Sequence, residues 1–308
     1  MKPKSKRTSL ARLAVICLAF IPGALLAQNF YVVGQANNTV GEYNATTGAA
    51  VAGFSTPTGL NQPAGIALSG NVLYVANFAG QFVGKYNATT GATINSSFIT
   101  GFSSTGLRIS GGNLYVSNNP GNAVNAYDAT TGAVVAGFTS PTGLSAPQAV
   151  EISGTNLYVA NSGNGTVGAY NSTTGTPVAG FTAPTGLSSP WGLAISGNTL
   201  YVANFNSNNI GEYDATTGAV INANFISGLN KPQYLALFGN NLYVANFGNG
   251  TVGEYNATTG AALGSNNVVT GLSSPAGIVA TVPEPSTWMM VLGGLAMFGT
   301  MRRSRRYA

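Results

Sequence analysis

The sequence predicts an all-β domain built from six similar units, and three observations lead to this prediction. Strands led by an aromatic residue recur with a period of 41 to 43 residues. They carry Tyr31, Tyr74, Tyr115, Tyr158, Tyr201 and Tyr243. Twelve residues after each, a second tyrosine opens a Tyr-Asn/Asp-Ala/Ser-Thr-Thr-Gly turn. Apolar and polar residues alternate in short runs rich in β-branched side chains, a pattern of strands that leaves no room for helices.

Each unit contains four short strands separated by turns rich in Gly, Asn and Ser. A period near 42 with four strands per unit predicts the blades of a β-propeller. Residues 29–33 read as a second strand, and residues 275–280 read as a first strand. We therefore expect a six-bladed propeller in which the C-terminal first strand pairs with the N-terminal strands of blade one. Such pairing closes the ring and leaves no open sheet edge between its ends.

The repeated words Leu-Tyr-Val-Ala-Asn, Gly-Asn-Gly-Thr-Val and Pro-x-Gly-Ile-Ala resemble NHL and YVTN-type propeller repeats. The resemblance covers nearly all of residues 29–281 and implies the same propeller fold. Each of these short motifs is degenerate when taken alone, whereas six copies in register are specific.

The N-terminus is predicted to be a signal peptide over residues 1–27. A basic stretch to Arg12 precedes an apolar run of about fourteen residues, the length of a signal-peptide core and short for a membrane span. Ala27 is the expected cleavage point, and an uncleaved anchor is the alternative. The only cysteine, Cys17, lies inside this segment, and the preceding Ile16 fits a lipoprotein cysteine poorly.

Residues 282–308 contain Pro283, Glu284 and Pro285, then an apolar stretch of about sixteen residues, then four arginines. This order resembles the PEP-CTERM sorting tail. The resemblance implies recognition by an exosortase-type processing enzyme, transient anchoring through a short transmembrane helix, and a location at the cell surface or in an exopolysaccharide matrix. A plain C-terminal anchor is the alternative.

The charge distribution argues against nucleic-acid binding. The whole chain carries +5, but most basic residues lie in the two terminal segments. The propeller body, residues 28–281, has three basic and six acidic residues, a net charge of −3. A nucleic-acid-binding domain would carry a basic patch on its folded body.

The composition also excludes several kinds of catalysis. The chain has no histidine, which excludes Ser-His-Asp and Cys-His mechanisms and zinc sites that need His. The body has no cysteine. We predict neither an enzyme nor a cofactor or metal. Calcium held by oxygens near Asn164 or Asn249 is an alternative, but turns explain the Asn-Gly pairs better.

The Asn or Asp that directly follows the second tyrosine of each unit has two interpretations. Its asparagines fit the N-x-Ser/Thr pattern for glycosylation, and they are Asn44, Asn87, Asn171 and Asn256. Asp128 and Asp214 occupy the same slot in the other units. Asn and Asp both cap turns through a side-chain oxygen, so turn formation is the favoured interpretation.

One face of the predicted ring carries candidate ligand contacts. The loops between second and third strands hold Phe78, Phe205 and Phe247, and the entries to the first strands hold Gln148, Trp191, Gln233 and Tyr234. Aromatic rings beside amide groups suit carbohydrates, which offer apolar faces and hydroxyl edges. The alternative is that the phenylalanines pack between blades. Trp191 is the stronger candidate because other units place smaller residues there.

The innermost strands contain one anomalous position. It holds Ala67, Ala194, Ala236 and Val279 in four units, but Arg108 and Glu151 in two adjacent ones. We expect these two residues to form an ion pair at the channel.

Three functions follow from these observations. The first is a surface or matrix protein that binds exopolysaccharide or a surface protein. The second is a self-associating surface-layer component. The third is a lyase-like or lactonase-like enzyme without histidine.

Overall fold

The computed structural model describes residues 29–281, which form 21 β-strands and no helix. None of these residues belongs to a helix long and apolar enough to cross a bilayer. The predicted signal peptide and sorting tail lie outside the described residues. The all-β prediction is confirmed.

The strands form six antiparallel sheets, numbered here in chain order. Three sheets have three strands. Sheet 1 contains β1 (Asn29–Gly34), β2 (Thr39–Asn44) and β21 (Pro275–Ala280). Sheet 3 contains β7 (Ser104–Ser110), β8 (Asn113–Asn118) and β9 (Ala123–Asp128). Sheet 4 contains β10 (Pro147–Ser153), β11 (Asn156–Asn161) and β12 (Thr166–Asn171).

The other three sheets have four strands. Sheet 2 contains β3 (Pro63–Ser69), β4 (Val72–Asn77), β5 (Phe82–Asn87) and β6 (Thr93–Thr100). Sheet 5 contains β13 (Pro190–Ser196), β14 (Thr199–Asn204), β15 (Asn209–Asp214) and β16 (Val220–Ile226). Sheet 6 contains β17 (Pro232–Phe238), β18 (Asn241–Asn246), β19 (Thr251–Asn256) and β20 (Ala262–Val269).

Four strands in every unit was the expectation, and it is wrong for sheets 1, 3 and 4. An isolated bridge stands where their fourth strand would be, at Ala50, Val134 and Pro177. The segments that follow these bridges carry a glycine with positive φ, then a proline, as in Gly137 (φ 83°) and Pro141. Proline has no N–H for a ladder, so this sequence ends the pairing.

The inner strands, defined as β3, β7, β10, β13, β17 and β21, contact one another in a closed cycle in that order. Close approach is part of this packing. A Cβ on Gly65 would collide with the carbonyl oxygen of Thr105 on the next inner strand. The core lies between adjacent sheets, and it continues between the last and the first. There the ring centroids of Phe30 and Tyr243 are 5.3 Å apart.

The two ends of the described chain meet in sheet 1. Strand β21 pairs antiparallel with β1, opposing Ala280 to Phe30 and Ile278 to Val32. Beyond the ladder, the Thr281 N–H donates to the carbonyl oxygen of Asn29 at 2.8 Å. The Asn29 N–H donates to Thr281 Oγ1 at 3.0 Å. Sheet 1 therefore consists of segments from both ends of the described chain.

Tyrosine hydroxyls link neighbouring sheets in a repeating way. Five of them donate to a backbone carbonyl in the turn of the next sheet, at 2.5 to 2.9 Å. The bonds join Tyr31 to Ala88, Tyr74 to Ala129, Tyr115 to Ser172, Tyr158 to Ala215 and Tyr201 to Ala257. The sixth, Tyr243, donates instead to Glu254 in its own sheet at 2.9 Å. The junction of sheets 6 and 1 is thus chemically different from the other five.

The Asn/Asp slot is a turn cap, as the favoured interpretation predicted. Asp128 Oδ1 accepts the N–H groups of Thr130 and Thr131 at 3.0 and 2.7 Å. Asn87 Oδ1 accepts equivalent bonds, both at 2.9 Å. These bonds lower the pKa of Asp128, with the Thr131 N–H contributing most.

Candidate functional site

Two cavities lie at opposite ends of the inner strands. The narrow cavity, about 250 Å³, is lined where the inner strands begin, and the wide cavity, about 480 Å³, is lined where they end. Tyr234 lines both. Its hydroxyl donates to the carbonyl oxygen of Thr105 at 2.5 Å. Thr105 lies on β7, which is opposite the Tyr234 strand β17 in the cycle of six inner strands. The tyrosine therefore crosses the central space and separates the two cavities.

The narrow cavity brings together four of the predicted contacts, Phe78, Gln148, Trp191 and Tyr234. Its other polar walls are the amides of Gln35, Gln62 and Asn119 and the hydroxyl-bearing Thr105. Sequence reasoning missed these residues, because three of them lie in loops whose approach to the axis depends on the ring geometry.

An aromatic row extends outward from the narrow cavity. Trp191 stacks on Phe205 with ring centroids 5.0 Å apart and an interplanar angle of 23°. Phe205 in turn lies 6.1 Å from Phe247 on sheet 6. The Lys231 Nζ atom is 5.6 Å from the centre of the Phe205 ring. All three rings are half-buried, so each keeps part of its surface for contact.

The predicted amide contacts are buried. Gln148 is 4% exposed and donates through Nε2 to Ser162 Oγ at 2.9 Å, while its Oε1 has no hydrogen-bond partner. Gln233 is 2% exposed and is not among the residues lining the narrow cavity. Both side chains have an Oε1 atom without a hydrogen-bond partner, but only Gln148 lines the narrow cavity.

Tyr234 is also buried, and its aligned positions show why it is unusual. The other inner strands place only glycine or alanine there, namely Gly65, Gly106, Ala149, Gly192 and Gly277. The same alignment that singled out Arg108 would have found this substitution. Burial raises the pKa of the Tyr234 hydroxyl, which keeps it a neutral hydrogen-bond donor.

The wide cavity contains Arg108 and Glu151. The Arg108 Nη2 atom lies 2.8 Å from Glu151 Oε1, which also accepts the N–H of Ile152 at 3.0 Å. The Glu151 side chain is 9% exposed and that of Arg108 is 43% exposed. Burial raises the pKa of Glu151 and outweighs the lowering by Arg108. Among residues 29–281, no three Asp, Glu, Cys or His residues are grouped as metal ligands would be.

The repeats, the six sheets and the axial cavities define a propeller-type repeat protein. The chain belongs to the family described as outer membrane protein assembly factor BamB, whose model matches residues 36–266. The PEP-CTERM protein-sorting motif matches residues 281–306. The chain is therefore an exported protein with a C-terminal sorting signal of the kind processed by exosortase-type machinery. The narrower NHL affiliation stays a prediction.

Solved structures support the fold. A chain from a crystal structure of a nidogen/laminin complex is 14% identical, with a TM-score of 0.68, covering 83% of this chain and 98% of that one. The computationally designed Ika8 protein is 18% identical, with a TM-score of 0.53, covering 79% and 74%. At these identities the likeness concerns the fold alone. No curated protein matches the chain.

Proposed function

We propose that this protein is a binding protein of the cell surface or matrix, and that its narrow cavity binds a carbohydrate of the exopolysaccharide. Binding rather than catalysis is proposed because the cavity wall offers aromatic rings and amides but no carboxylate, histidine or lysine. The sorting motif supports the location.

The observation that carries this proposal is Trp191. Its half-buried indole lines the cavity and stacks on Phe205, and its Nε1–H donates to Ser189 Oγ at 3.2 Å. Stacking and this bond hold the ring in place before a ligand arrives, which reduces the entropy lost on binding. At about 250 Å³, the cavity lies just below the usual ~300–1,000 Å³ range, so it suits a single sugar ring.

The scaffold we propose is a six-bladed propeller, one blade per sheet, closed by β21 in sheet 1. The closed cycle of inner strands and the pairing of β21 with β1 support it. We further propose removal of both basic ends during export. Mass spectrometry of surface material should then find no peptide containing Arg302–Arg306, and an intact basic end would contradict this processing.

The binding test compares Trp191→Ala with Trp191→Phe, using the purified chain and oligosaccharides of the host's own exopolysaccharide. Loss of a stacked anchor is expected to weaken binding by about tenfold or more in calorimetry, with partial retention in the phenylalanine variant. The matched control is Phe102→Ala, because Phe102 also stacks on an aromatic, Tyr127, outside both cavities. A folded Trp191→Ala variant with unchanged affinity would refute the proposal.

Self-association is the second candidate, and one observation favours it. The outermost strands β6 and β16 expose Ile94, Val220 and Ile221, which are 54%, 45% and 54% exposed. Apolar side chains on an edge strand favour pairing with another sheet. Filaments or lattices formed by the purified protein, and lost in an Ile94→Lys/Ile221→Lys variant, would support this role.

A further inference from the structure

The wide cavity is a second pocket that the carbohydrate proposal does not use. Its volume of about 480 Å³ lies within the ~300–1,000 Å³ of small-molecule sites. All six inner strands contribute to its wall, and Tyr234 closes its inner end. A ligand there would be separated from the Trp191 side of the ring.

Arg108 gives this pocket a positive group with free capacity. A guanidinium has five N–H donors, and among residues 29–281 Arg108 has one polar partner, an oxygen of Glu151. The 43% exposure of the Arg108 side chain shows that much of it faces open space. The remaining donors are therefore available to a ligand.

Glu151 fixes the position of Arg108 from the more buried side of the ion pair. Its side chain is almost fully buried, and the Ile152 N–H fixes the same oxygen that Arg108 contacts. The carboxylate is withdrawn from solvent while 43% of the Arg108 side chain stays exposed, so the guanidinium is the partner that a ligand can reach. Such an arrangement orients an arginine toward the cavity, much as outer groups orient a metal ligand.

The rest of the wall suits the carbon skeleton of a small ring. It contains apolar side chains such as Leu68 and Ile109 together with hairpin backbone at Gly70 and Gly111. The other two cations of the body are engaged elsewhere. Lys85 Nζ lies 4.3 Å from the centre of the Phe98 ring, and Lys231 lies beside Phe205 near the narrow cavity.

We propose that the wide cavity binds a small organic carboxylate of the size of one uronic acid. Arg108 contacts the carboxylate, since a planar guanidinium matches its two oxygens. Glu151 is the positioning residue. This site is independent of the carbohydrate site proposed for the narrow cavity.

The test is isothermal titration of the purified full chain with D-glucuronate, with D-glucose as the uncharged match of the same ring. We expect glucuronate to bind at least about tenfold more tightly than glucose. The double variant Arg108→Ala/Glu151→Ala should lose at least about tenfold in glucuronate affinity. It should fold, because Ala67 and Ala194 occupy the equivalent position in other sheets.

Further variants separate this site from its alternatives. Phe102→Ala, which lies outside both cavities, should leave glucuronate binding unchanged. A loss in Trp191→Ala with no loss in the double variant would place the anion in the narrow cavity and overturn the proposal. Glu151→Gln keeps an oxygen acceptor and should retain binding, whereas Glu151→Ala should weaken it. Equal affinity for glucose and glucuronate, absence of glucuronate binding, or unchanged binding in the double variant would each overturn the proposal.

Discussion

The hydroxyl of Tyr234 donates a hydrogen bond to the carbonyl oxygen of Thr105 on the opposite side of the cycle of inner strands, 2.5 Å away. The two residues are 129 positions apart in the sequence, so the bond ties sheet 6 directly to sheet 3. The other contacts between sheets described above join neighbours in the cycle. This cross-link stabilises the ring along a diameter.

Removal of that hydroxyl should reduce stability. Tyr234→Phe leaves the Thr105 carbonyl without its donor in a buried site, at an expected cost of about 1–3 kcal/mol in the free energy of unfolding. The control is Tyr127→Phe, because Tyr127 is only half-buried and its hydroxyl has no hydrogen-bond partner among the described residues. Denaturant unfolding measures both, and equal effects of the two substitutions would contradict the role of the bond.

The tyrosines between neighbouring sheets should behave as separate units. Tyr74→Phe and Tyr158→Phe each remove one bond to the next sheet, and each should cost about 1–2 kcal/mol in unfolding free energy. The double variant should equal the sum within about 0.5 kcal/mol, because the two bonds share no partner. A clear departure from additivity in denaturant melts would indicate that the interfaces are coupled.

The alignment of repeats shows how much of the fold and of the candidate site the sequence predicts. The period is enough to predict an all-β fold, since Tyr31 and its counterparts mark every unit. The missing fourth strands could have been read from Pro57, Pro141 and Pro184, which the repeat average conceals. The position of Tyr234 at a strand entry predicts that it lies on the ligand face, whereas the direction of its side chain depends on where the opposite strand lies. The burial of the Gln148 and Gln233 side chains likewise depends on how neighbouring sheets pack against them.

The two partners of the ion pair should respond unequally to substitution. Arg108→Ala leaves a buried carboxylate without its partner, while Glu151→Ala leaves an arginine that still reaches solvent. We therefore expect Arg108→Ala to destabilise more, by about 1–3 kcal/mol, below the ~3–5 kcal/mol of fully buried pairs. The double variant should be more stable than Arg108→Ala alone. Additive single and double effects in denaturant melts would show that the pair does not act as a unit.

Stability should also depend on pH through Glu151. Its folded pKa is raised by burial, so the folded state favours the protonated acid. This contribution is complete below the unfolded pKa of ~4.3 and is lost as pH rises through the raised folded value. The wild-type protein should therefore lose stability relative to Glu151→Gln as the pH rises from about 4 through the raised folded pKa of Glu151. Parallel pH profiles for the two proteins, or a slope of the opposite sign, would contradict the raised pKa.

The pairing of β21 with β1 sets the direction from which the sorting motif leaves the domain. Ala280, near the end of β21, lines the wide cavity, and the motif begins at residue 281. The sorting motif therefore begins at the rim of the wide cavity, on the side of the ring opposite Trp191. If processing is preceded by the transient membrane anchoring expected from the sequence, this geometry would place the Arg108 side toward the bilayer and the Trp191 side toward the surroundings. Only the Trp191 side would then meet an external polymer before the tail is removed.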